Sequence, residues 1–110
     1  MTLRCCRAVL DSMPASSEVI VVDDRSSDDT AALLAREVPR VQVVRLDANR
    51  GFAVAANRGV AAACGHIILL LNSDAIVEAD ALRAIVVAFD RDAKLGVVGA
   101  RLINKNKTPQ

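Results

Sequence analysis

At 110 residues the chain is one domain at most, enough for a single core but small for an enzyme with two substrates. Hydrophobic residues make up 53% and charged ones 25%, and the formal charge of +1 lacks the basic excess of a nucleic-acid binder. Phe52 and Phe89 are the only aromatic residues, which leaves few platforms for stacking bases or sugars, and no stretch approaches the ~20 apolar residues of a membrane span.

Apolar residues at Leu3, Cys6, Val9, Leu10 and Met13, with arginines between them, predict a helix that ends before Pro14. Val19 to Val22 is β-branched throughout and breaks into Asp23 and Asp24, as a buried strand with acids at its carboxyl end does. Ser26 or Ser27 can cap a helix starting near Asp28, with Leu34 and Val38 on its apolar face and Pro39 as its stop. Val41 to Leu46 reads as the next strand, so the order β-α-β implies parallel pairing.

Gly51 to Gly65 is alanine-rich and helix-length, but Asn57, Arg58 and Gly59 interrupt it, and a glycine there costs about 1 kcal/mol against alanine. Either close packing or a ligand would explain their presence. Ile67 to Leu71 is an apolar run that predicts a buried strand, with Asn72, Ser73 and Asp74 at its carboxyl end, where open α/β sheets place ligands. Asn72 and Asp74 would share a side if the extended geometry persisted. Such oxygen-rich residues suit a hard divalent cation that also binds phosphates. A helix over Ala79 to Phe89 and a strand over Leu95 to Ala100 follow, and residues 104–110 form a polar tail after a domain spanning 1–103.

Cys5, Cys6 and Cys64 are odd in number, and adjacent cysteines do not bridge each other in ordinary geometry. Reduced thiols, buried or inert, and a cytoplasmic setting are therefore expected; placement at a membrane surface would require a partner or a further segment. His66 reads as a strand-end residue, Asp80 as helix N-terminal charge, and Arg50 and Arg58 as residues open either to a diphosphate or to solvent.

VIVVDDRSSDDT at 19–30, NRGFAVAANRG at 49–59 and LLLNSD at 69–74 stand in order along the chain. Together they resemble the donor-binding half of the family 2 inverting glycosyltransferases of GT-A fold, including rhamnosyltransferase-like members. The resemblance implies an α/β fold, a three-layer α/β/α partial GT-A domain with a mostly parallel sheet and its first strand missing. It implies a nucleotide-diphosphate sugar as donor and a saccharide or lipid-linked acceptor, whose hydroxyl receives the glycosyl group. By the same resemblance Asp23, Asp24, Ser26, Asn49, Gly51, Asn57, Asn72 and Ser73 line the nucleotide-sugar site. Gly59 completes the middle motif, and Asp74 is the ligand of Mg²⁺ or Mn²⁺ that bridges the diphosphate.

Arg25 and Asp29 depart from the small residue and glycine usual in the family, and Asn72 replaces the first acid of the D-x-D-like triplet. The family's first strand and its acceptor-side general base are not found in these residues, which leads us to expect a fragment with little transfer activity alone. Without that strand, the runs at 19–23 and 67–71 would pair directly, or a homodimer would cover their open edges. A phosphoacceptor receiver domain also carries acids after buried strands, but it has no use for NRGFAVAANRG, and Asn72 and Ser73 separate Asp74 from the strand end. A noncatalytic nucleotide-binding or interaction module would share the fold without the chemistry.

Overall fold

The structure is a computed structural model that describes residues 1–104 and Thr108. Its elements follow the order α1 (Thr2–Ser12), β1 (Val19–Asp23), α2 (Thr30–Glu37), β2 (Val41–Arg45), α3 (Phe52–Ala62) and α4 (Ala79–Arg91). The protein is thus α/β, with four helices around a small parallel sheet, as in a partial GT-A fold.

β1 and β2 pair in parallel, with Val19 opposite Val41 and Asp23 opposite Arg45. Side chains alternate across a strand, so Val19, Val21, Val41 and Val43 share one face. There they meet Leu3, Cys6 and Leu10 of α1, and Leu34 and Val38 at α2. Leu34 is 1% exposed, and truncation of such a core leucine to alanine costs about 2–5 kcal/mol. Val22 points to the opposite face, where a Cβ added at Gly59 of α3 would lie 3.2 Å from its Cγ2. Close approach of helix and strand therefore accounts for this glycine, and α3 runs unbroken through Asn57, Arg58 and Gly59. Helices on both faces give the three layers expected.

Two expected strands are corrected. Ile67 to Leu71 forms no strand, and Leu70 is 58% exposed. The run is apolar enough for a core, but a strand also needs a hydrogen-bonded neighbour for its N–H and C=O groups, and none pairs with it among the described residues. The direct pairing with β1 does not form either, for the sheet holds β1 and β2 alone among the described residues. The ends of the run are nevertheless tied. Before it, the Cys64 and Gly65 N–H groups donate to Glu18 Oε1 at 2.6 and 3.0 Å, and after it the Cys5 thiol lies 3.7 Å from the Asn72 carbonyl.

Leu95 to Ala100 likewise lacks a ladder partner; Leu95 and Val98 are half-buried while Val97 is 85% exposed. In α4, the apolar spacing would turn Leu82, Ile85, Val86 and Phe89 inward; Leu82, Ile85 and Phe89 are half-buried, but Val86 is exposed. Of the polar tail, residues 105–107, 109 and 110 lie outside the described residues. Among the described residues no helix is long and apolar enough to cross a membrane.

Candidate functional site

Asp23 and Asp24 leave the end of β1 on opposite sides, and the structure gives them different partners. Asp23 is buried, its side chain 3% exposed. Its Oδ1 accepts the Ser26 N–H at 2.8 Å, and its Oδ2 faces Arg45 Nε at 3.3 Å. That approach is an ion pair without hydrogen-bond alignment, so Oδ2 has a charge partner but no donor aimed at it. Arg45, the register partner of Asp23, also donates to the Ser26 carbonyl at 3.1 Å and so braces the loop after β1.

Asp24 reaches the other way. Its Oδ1 accepts the Arg50 N–H at 2.7 Å and its Oδ2 the Gly51 N–H at 2.8 Å. Gly51 is the N-cap of α3, with φ 82° and ψ 170°, a conformation reserved for glycine. The carboxylate thus satisfies donors at a helix entrance, where the dipole favours negative charge. This clasp joins the motif at 19–30 to the motif at 49–59.

Arg25 lies between them with φ 57°, in the left-handed region, and its guanidinium donates to the Asp47 carbonyl. A backbone in that region is one that favours glycine, and Arg25 adopts it with a full side chain. Asp29 is the N-cap of α2, so neither Ser26 nor Ser27 takes the capping position expected, and the Ser26 N–H donates to Asp23 instead. Asp28 instead accepts the Thr30 N–H at 3.1 Å. Hydrogen bonds from the Thr30 hydroxyl and then its N–H hold the Asp28 carboxyl below its ordinary pKa.

Asn49, Asn57, Asn72, Ser73 and Asp74 are exposed. The extended geometry expected of the triplet does not persist, because residues 73 and 74 form a turn in which the Ala75 N–H donates to the Asn72 carbonyl at 3.1 Å. No hydrogen bond or ion pair joins this turn to Asp23 or Asp24 among the described residues. Its neighbour is α1. Burial first, and then the charge of Asp74, push the Cys5 thiol above its ordinary pKa. That contact was not legible from spacing, since 67 residues separate Cys5 from Asn72. Cys64, expected to be buried or inert, is exposed.

No three His, Cys, Asp or Glu residues among the described ones converge on a metal position. Asp74 offers one carboxylate, which fits a Mg²⁺ or Mn²⁺ ion that takes its other ligands from water and a diphosphate, and does not fit a cation held by protein alone.

Over residues 1–110, the whole chain, the sequence matches the model of glycosyl transferase family 2. The chain belongs to that family. Among its relatives is the succinoglycan biosynthesis protein ExoO of Rhizobium meliloti (strain 1021), 42% identical over 85 residues, covering 76% of this chain and 24% of the relative. Another is the poly-beta-1,6-N-acetyl-D-glucosamine synthase of Staphylococcus aureus (strain COL), 37% identical over 93 residues, covering 83% of this chain and 23% of the relative. The chain therefore spans about a quarter of the length of these relatives. No solved structure matches it.

Proposed function

We propose that this chain is the donor-binding part of a family 2 glycosyltransferase of polysaccharide synthesis, and that it binds a nucleotide-diphosphate sugar together with Mg²⁺ or Mn²⁺. The observation that carries the reading is the Asp24 clasp on Arg50 and Gly51, which holds two of the three family motifs at one end of the sheet. In this reading Asp23, whose Oδ2 lacks a donor, and Ser26 receive the base or ribose, because carboxylates accept hydrogen bonds from imide N–H groups and sugar hydroxyls. Asn49, Gly51, Asn57, Asn72 and Ser73 line the remainder of the site, and Asp74 holds the cation against the diphosphate. The bound cation would neutralise charge on the departing nucleoside diphosphate. Transfer also needs a base near the attacking acceptor hydroxyl, which the donor site does not supply, so the chain alone binds donor without appreciable turnover.

Calorimetric titration of the chain with UDP-, dTDP- and GDP-sugars, with and without Mn²⁺, tests this. At least one donor is expected to bind, more tightly with Mn²⁺, and Asp74→Asn should abolish the Mn²⁺ dependence. If none binds, the donor reading fails and a noncatalytic module remains. If the chain alone transfers sugar to an acceptor, the restriction to binding fails.

A further inference from the structure

On the outer side of β2 an open cleft of about 510 Å³ is lined by Arg45, Leu46 and Asp47 at the strand end and by Arg50, Val54 and Arg58. The last three are spaced four residues apart and form one stripe leading into and along α3. Arg25 joins the same group through its bond to the Asp47 carbonyl.

The charges around this cleft do not cancel. Arg45 is met by Asp23 at 3.3 Å and Arg50 by Asp47 at 3.4 Å. Asp24 is occupied by two backbone N–H groups. Arg25 has no carboxylate partner among the described residues, and Arg58 has neither an ion pair nor a hydrogen bond there. Arg25 and Arg58 are thus left without a carboxylate partner, although the charge of Asp24, which its two N–H donors do not cancel, brings these four arginines and three aspartates to a net +1.

From this we infer a second anion site, distinct from the donor site at Asp74, that takes a phosphoryl group. Guanidinium forks match phosphate oxygens bidentately, and a phosphate monoester has three terminal oxygens to meet the unpaired Arg25 and Arg58 where a carboxylate has two. The group could be supplied by a soluble phosphate or by a lipid headgroup at a membrane surface. Neither a nucleotide nor a metal is needed for it to bind.

The test titrates the chain, without metal or nucleotide and at low salt, with inorganic phosphate, with methyl phosphate and with phosphatidic acid vesicles, against acetate at matched ionic strength. Saturable binding of a phosphate probe is expected, weakened about tenfold by Arg58→Gln and unchanged by Arg83→Gln on α4. Asp47→Asn should tighten binding, a change that loss of folding would not produce. Phosphate and methyl phosphate binding assigns a soluble ligand; binding confined to vesicles assigns the headgroup. Acetate binding equally well, insensitivity to Arg58→Gln, or displacement of bound phosphate by UDP with Mn²⁺ would overturn the inference.

Discussion

Asp24 and Gly51, 27 residues apart in sequence, meet through a 2.8 Å hydrogen bond from the Gly51 N–H to Asp24 Oδ2. With the Arg50 N–H on Oδ1, one carboxylate closes the entrance of α3 onto the end of β1. Both bonds are charge-assisted, and each oxygen faces a donor. Asp24→Asn keeps the shape but turns an amide N–H₂ toward one of those donors. The variant should lose about 2 kcal/mol of stability, read as a lower urea midpoint with an unchanged slope.

Gly51 has a separate constraint in its backbone. With φ 82° and ψ 170°, any side chain is strained there even though nothing lies within 4 Å of an added Cβ. Gly51→Ala should therefore cost about 1–3 kcal/mol in urea unfolding. An alanine variant as stable as the parent would mean that the entrance of α3 is not built as described.

Arg25 holds the left-handed conformation without being glycine. Comparing Arg25→Gly with Arg25→Ala isolates that strain, because both lose the bond to the Asp47 carbonyl and only glycine relaxes the backbone. The glycine variant should be the more stable of the two by about 1 kcal/mol, visible as a higher thermal midpoint.

The thiols divide by environment. Cys5 and Cys6 are buried, and burial pushes both above the ordinary value of 9.0, whereas Cys64 is exposed. A thiol reagent should modify Cys64 rapidly and the other two only on unfolding. The buried pair also sets a pH dependence. Below pH 9.0 the thiols are protonated in both states and this contribution to stability is complete. Above it the unfolded chain loses the protons first, so stability should fall as pH rises toward the higher folded values. Replacing both cysteines by alanine should flatten that alkaline loss.

The parts of the fold that were legible are those in which local pattern and tertiary partner agree. α1, β1, α2, β2 and α4 follow their apolar periodicity, and Pro14 and Pro39 lie just beyond the helices they were expected to end. Gly59 was ambiguous between packing and ligand until Val22 was found beneath it. Ile67 to Leu71 shows the limit of such reading: five apolar residues announce burial, but the ladder partner that would make them a strand is a property of other residues. For the candidate site, the motif order singled out Asp23, Asp24 and Gly51 as candidates, whereas the division of the acid pair between Arg45 and the α3 entrance depends on contacts 22 to 27 residues apart in sequence. Cys5 beside Asn72 is of the same kind.

The central claim is that the three motifs serve one donor. Mapping amide signals by NMR as UDP or another nucleoside diphosphate and Mn²⁺ are added tests it most directly. Paramagnetic broadening should appear at residues 72–75 only when nucleotide and Mn²⁺ are both present, while the nucleotide shifts the signals of residues 23–26 and 49–51. Broadening by Mn²⁺ alone at another position, or nucleotide-induced shifts that avoid all three motifs, would contradict the account.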